Sequence, residues 1–157
     1  MDVWWIDEPW LLGSSNPTTR DLEELRTRGF TLIVSLLEED LQPPMYDVAR
    51  VQAIGYSRRN IAVMDFHPPD LGQLADFVDL LDGQPDGTKV IVHCHAGIGR
   101  TGTFAAAYWI AQGLGAGEAL EKVRQARPQA VETPEQRDAL GEFARRRGSK
   151  APGARQG

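Results

Sequence analysis

Lys89-Val90-Ile91-Val92-His93-Cys94-His95-Ala96-Gly97-Ile98-Gly99-Arg100-Thr101-Gly102 runs from a short apolar strand through a glycine-bearing loop into a helix, and it decides the fold. Val90, Ile91 and Val92 are continuous and apolar, the pattern of a strand covered on both faces of a parallel sheet. Gly97 and Gly99 permit backbone conformations with positive φ and let successive N–H groups turn inward. Inward amides at a helix N-terminus form an anion nest. Arg100 adds a planar fork that can hold two oxygens of one tetrahedral anion. Cys94 is the chain's single cysteine and stands inside this positive field, a setting that favours the thiolate. Thr101 places a hydroxyl beside the start of the helix, where it can reach the sulfur.

Outward from this segment, strands alternate with helices. Residues 3–6 and 10–12 read as short strands around a turn at Asp7-Glu8-Pro9. Asn16-Pro17-Thr18-Thr19 opens a helix that Gly29 stops. Residues 30–37 form a buried strand, 44–54 a helix and 57–63 a further strand. Leu71, Leu74, Phe77, Val78 and Leu81 share one face of a helix over 70–81. A strand over 88–93 leads to helices over 100–114, 118–126 and 134–146. This order predicts an α/β fold with a central, mainly parallel sheet of four to five strands flanked by helices. Ligands in such sheets bind at the carboxyl ends of the strands, where Cys94 lies.

The 157 residues fit one domain, expected over 1–147, followed by a flexible basic tail over 148–157. Net charge is −5, but no acid follows Glu142 while five cations do, so the residues up to Glu142 carry −10. An acidic body argues against nucleic acid as partner. No apolar run is long enough to span a membrane. One cysteine and no visible signal peptide point to a reducing, cytoplasmic setting. A monomer is expected.

His93-Cys94-x-x-Gly97-x-x-Arg100-Thr101 resembles the phosphate-binding signature of the protein tyrosine phosphatase superfamily. The wider chain, roughly residues 3–146, looks like the small, atypical dual-specificity phosphatases and their microbial relatives. Sulfurtransferase loops also hold a cysteine among amides, but they do not generally carry this Gly-x-x-Arg-Thr-Gly continuation. The resemblance implies two-step phosphomonoester hydrolysis with no metal and no cofactor. The amides of His95, Ala96, Gly97, Ile98, Gly99 and Arg100 would grip the phosphoryl group, Cys94 would attack it, and Thr101 would assist departure of the sulfur. The expected substrate is a phosphoprotein or phosphopeptide, phosphorylated on tyrosine and also on serine or threonine if the pocket is shallow. The alternatives are a phosphatase for phosphoinositide or RNA 5′-phosphates and a phosphoprotein-binding pseudophosphatase.

The family supplies a proton-donating aspartate about thirty residues before the cysteine. Asp65 matches that position, with apolar sequence neighbours Val63, Met64 and Phe66 that suit a protonated carboxyl. Asp70 competes, but Asp70-x-x-Gln73 reads as a capping box. The Val63-Met64 pair replaces the tryptophan and proline of larger family members, so Asp65 is expected nearly in place, without a large swinging lid. Gln136 matches the family residue that orients water, and Thr133-x-x-Gln136 is equally a capping box with Pro134 at the first helical position. Glu132 is read either as orienting Arg100 or water, or as a structural ion-pair partner. His93 is expected behind the loop, holding it by hydrogen bonds. His67 reads as an exposed turn residue.

Overall fold

Alternation along three strands sorts the apolar side chains onto two faces of one sheet. In the computed structural model, which describes residues 1–148, the strands are β1 (Val3–Asp7), β2 (Leu11–Ser14), β3 (Phe30–Leu37), β4 (Ser57–Val63) and β5 (Lys89–His93). They lie in the order β1-β2-β5-β3-β4, with β1 antiparallel to β2 and every other pairing parallel. Leu11, Leu32, Val34, Val90 and Val92 point to one face, and Leu12, Ile33 and Ile91 to the other, as a period of two requires. Helices α1 (Thr19–Thr27) and α2 (Val48–Ala53) supply the core of the second face. The first face is covered by α3 (Leu71–Asp82), α4 (Gly99–Ala111), α5 (Ala116–Ala126) and α6 (Pro134–Arg147). The expected α/β architecture and mainly parallel sheet are therefore present, with the central position taken by β5. The basic tail lies, apart from Gly148, outside the described residues.

Helix α4 follows the anion-binding loop and is enclosed along almost its whole length, with only Trp109 partly exposed. Its run Ala105-Ala106-Ala107 lets neighbouring helices approach closely. Among the described residues no helix is long and apolar enough to cross a membrane.

Two boundaries differ from the sequence reading. The helix expected over 44–54 begins only at Val48, capped by the Asp47 carboxylate on Arg50 N–H (3.1 Å). The preceding backbone is claimed by tertiary bonds instead. Asn16 accepts from Met45 N–H (3.1 Å) and donates to Pro43 O (3.1 Å), and Asp47 N–H donates to the Thr19 hydroxyl (2.8 Å). Pro43 and Pro44 also have no N–H to offer a helix. The helix expected over 100–114 spans Gly99–Ala111 and yields to a turn at Gly113, which has φ +113°.

The seat of α4 depends on Gly102. A Cβ there would lie 2.7 Å from Ala130 Cβ and 2.9 Å from Val131 N. Helix propensity alone favours alanine over glycine by about 1 kcal/mol. Gly102→Ala is expected to reverse that sign and destabilise by roughly 1–3 kcal/mol through overpacking. A thermal melt reads this as a fall of roughly 2–4 °C for each kcal/mol. A variant melting above the wild type would show that this contact is not tight.

Candidate active site

The loop from Cys94 to Arg100 is held from below by the end of β2. Gly97 has φ +78°, and a Cβ on it would stand 2.6 Å from both Ser14 C and Ser15 N, so only glycine fits. The buried Trp4 indole donates to Gly97 O (2.9 Å), and Asn16 N–H donates to His95 O (2.9 Å). Inside this seat the buried Cys94 sulfur accepts from Gly97 N–H (3.3 Å) and from the Thr101 hydroxyl (3.1 Å). Two donors thus converge on the one sulfur. His95 and Ala96 stand exposed at the mouth.

Arg100 has no side-chain exposure. Its Nη1 donates to Val63 O (2.8 Å) and its Nη2 to Gln42 Oε1 (2.7 Å), while Asp65 Oδ1 lies 3.3 Å from Nη2. Its Nε is buried without a hydrogen-bond partner among the described residues, a donor suited to an anion. Asp65 is thus brought to the loop, as expected from sequence, but its surroundings are not apolar. Its Oδ1 accepts from Phe66 N–H (3.0 Å) and its Oδ2 from Gln42 Nε2 (3.1 Å), and its side chain is one-third exposed. Met64 and Phe66 flank it in the chain yet turn to solvent, so apolar neighbours in sequence do not become apolar neighbours in space. Asp70 carries out the capping role read for it. It accepts from Gln73 N–H (2.7 Å), and its own N–H donates to Gln73 Oε1 (3.0 Å).

Gln42, from the segment between β3 and α2, went unrecognised in the sequence. Its amide bridges the guanidinium of Arg100 and the carboxylate of Asp65, and the chemistry of those partners fixes which end faces which. The only sequence signal was its place just beyond the carboxyl end of a parallel strand.

Behind the loop, His93 is fully buried and sits in a chain of polar side chains. Arg58 Nε donates to the Tyr46 hydroxyl (2.9 Å), and Arg58 is itself paired with Glu39. A carbonyl such as Cys94 O can only accept from the imidazole, which leaves His93 Nε2 to take the Tyr46 proton (2.9 Å). The His93 proton then sits on Nδ1, facing Cys94 O (3.3 Å). Burial pushes the imidazole down to about 3; the bond to Cys94 O opposes this, and the charges of Arg58 and Arg100 add to it. Tyr46 and Arg58 also escaped the sequence reading, since neither adjoins the loop in the chain.

This geometry has known counterparts. The family described as the DSP-PTPase phosphatase of polymorphic toxin systems matches residues 9–114, more than half of the chain. The chain belongs to this phosphatase family. A crystal structure of Tk-PTP in its active form is 34% identical and superposes with a TM-score of 0.83, the match covering 92% of this chain and 97% of that one. Human dual specificity protein phosphatase 15 is 31% identical over 148 residues, 86% of this chain and 46% of that protein. The Schizosaccharomyces pombe tyrosine-protein phosphatase CDC14 homolog is 32% identical over 97 residues, 61% of this chain but 18% of that protein.

Two further residues of this DSP-PTPase chain come from the segment before α6. Glu132 bonds to Gly99 N–H; partial burial and the charge of Asp65 raise its carboxyl above the usual range, against the pull of that N–H and of Arg100. Gln136 is buried, its Oε1 accepting from Glu132 N–H (2.8 Å) and Thr133 N–H (3.2 Å) while its Nε2 donates to His67 O (3.3 Å). The capping box is real, and it also ties the Asp65 segment to α6. His67 is exposed, as read.

A histidine held neutral in the folded state binds its proton more readily once unfolded. Between about 3 and 6.5 the unfolded chain therefore carries the extra proton, and stability falls as pH drops through that window. Denaturant titrations between pH 7 and 4 are expected to show this loss, with a shallower slope for His93→Asn. Equal slopes would mean that His93 does not report its burial.

Proposed function

We propose that the chain hydrolyses phosphomonoesters on proteins through a cysteinyl-phosphate. The observation that carries this reading is the Cys94 sulfur accepting two hydrogen bonds beside the buried, unpartnered Nε of Arg100. The loop amides from His95 to Arg100 and the guanidinium bind the phosphoryl oxygens. The Cys94 thiolate attacks phosphorus, the ester P–O bond breaks, and Asp65 gives its proton to the departing oxygen. Water then attacks the thiophosphate and yields its proton to Asp65, and the Thr101 hydroxyl stabilises the sulfur as it leaves. Arg100 and the loop dipoles supply the charge stabilisation. Glu132 steadies Arg100 from the side of Gly99. The two bonds on Gln136 Oε1 and the one from its Nε2 to His67 O support a role in joining the Asp65 segment to the start of α6 more than one in orienting water.

The relatives are named as tyrosine-protein and dual specificity protein phosphatases, which favours phosphoprotein over lipid or RNA phosphates. A nucleophile that must stay a free thiol supports a reducing, cytoplasmic site of action.

Cys94→Ser is expected to lower turnover of phosphotyrosine on the order of 10³-fold or more. Asp65→Asn should lower kcat about 100-fold and flatten the limb of the pH profile that reports a protonated donor. Unchanged turnover in the first variant refutes the mechanism, and an unchanged pH profile in the second reassigns the acid. Gln42→Glu keeps an acceptor for Arg100 but sets a second carboxylate against Asp65. Its descending limb should therefore move to higher pH, and an unmoved limb would detach Gln42 from the acid.

A further inference from the structure

Among the described residues six large apolar side chains are exposed: Met1, Val3, Leu41, Met45, Met64 and Phe66. The last four lie on two segments only, the one between β3 and α2 and the one after β4. Those segments meet at the mouth of the Cys94 loop, where Gln42 joins Asp65 and both reach Arg100. Exposure there is pronounced, 66% for Leu41 and 58% for Phe66. Phe66 also holds φ +65°, a left-handed backbone that bulky residues avoid. The turn is closed by Asp65 Oδ1 on Phe66 N–H and by His67 N–H on Met64 O (3.0 Å), and it sends both apolar side chains outward. A strained backbone that presents an aromatic ring to water beside a reactive centre is a reason to look for what covers the ring.

Charge narrows the answer. Glu38 and Asp40 adjoin Leu41, and neither has an ion-pair partner among the described residues. Glu132 adds a carboxylate facing Asp65. No lysine or arginine occurs over 38–46 or 63–70. An anionic membrane surface is repelled by such a rim, whereas a cationic peptide is attracted.

We propose that Leu41, Met45, Met64 and Phe66 form the docking surface for residues flanking the phosphorylated one. The substrate is then a phosphopeptide segment with apolar side chains next to the phosphorylated residue and lysine or arginine beyond them. This rests on the phosphatase reading and adds the substrate's chemical class to it. The phosphate is bound by the loop, and the apolar rim buries the neighbouring side chains.

The test uses the full chain and two synthetic phosphotyrosine peptides of equal length. One carries leucine on both sides of the phosphotyrosine and lysine beyond, and the other carries serine and glutamate at those positions. Each kcat/KM is divided by the same protein's rate on para-nitrophenyl phosphate. The wild type is expected to favour the leucine–lysine peptide by roughly tenfold or more, the scale of one or two buried apolar side chains. Leu41→Ser/Met45→Ser should lose most of that preference, as should Phe66→Asn, in which asparagine tolerates the left-handed backbone. Equal rates on the two peptides, or a preference that survives in both variants, overturn the proposal. So does binding to phosphatidylserine vesicles that the wild type shows and both variants lose, since the rim would then serve a membrane. A wild type inert on para-nitrophenyl phosphate defeats the phosphatase reading itself, which separates the two failures.

Discussion

A guanidinium removed from water must have its donors and its charge answered, and the active-site half of this molecule is arranged around that demand. Arg100 is fully enclosed. Removing such a cation from water costs roughly several kcal/mol unless it is well partnered. The partners come from separate parts of the chain: Val63 at the end of β4, Asp65 just beyond it, and Gln42 from the segment after β3. One buried charge thus gathers the segments that follow β3 and β4 to the carboxyl end of the sheet. Gly97 seats the loop that precedes Arg100, because its bare backbone rests on Ser14 and Ser15. The Nε left without a partner is the part of the demand that the described residues do not meet. A phosphoryl oxygen has the charge and the lone pairs to meet it.

Features that are local in sequence were legible; those that depend on distant partners were not. Val90, Ile91 and Val92 announced a strand covered on both faces, and the glycines, Arg100 and Thr101 announced the loop, because strand, loop and helix start are contiguous. The capping boxes of Asp70 and Thr133 were readable for the same reason. Asp65 was placed correctly and its surroundings were misjudged, since exposure of Met64 and Phe66 is decided by a turn that leaves no clear mark in composition. The helix drawn too early at Pro44 failed because Asn16, far away in the chain, takes the backbone groups of Pro43 and Met45. Gln42, Tyr46 and Arg58 act only through folding, which sets β3 beside β5 and β4 beside β3.

The chain from Glu39 through Arg58 and Tyr46 to His93 shows how a charged pair near the surface can orient a neutral group in the interior. Each link has one permitted direction, because the arginine toward its outer end cannot accept and the Cys94 carbonyl at its inner end cannot donate. The His93 tautomer is thereby set without any titration near neutral pH, and the proton faces the carbonyl of the nucleophile's own residue. Such a chain holds the loop by geometry, and it remains in force while substrates, products and bulk pH change around it. Its inner links are shielded by burial, so added salt should weaken them far less than it weakens surface pairs such as Arg50 with Glu23.

The electrostatics of the site and of the body have opposite signs, and this bears on what can bind. The residues up to Glu142 carry −10, so a phosphate approaching from a distance meets repulsion. Attraction comes from the loop amides and Arg100, and amide dipoles act only at close range. Long-range steering therefore disfavours small free anions, and a phosphate gains access most readily when it arrives on a carrier that offsets its charge. A cationic peptide supplies that offset. Apolar side chains beside the phosphate then add contact area where the rim offers it, at Leu41, Met45, Met64 and Phe66. The same acidic residues that raise the barrier to a bare anion lower it for a basic phosphopeptide, and discrimination of this kind weakens as ionic strength rises and the body's field is screened.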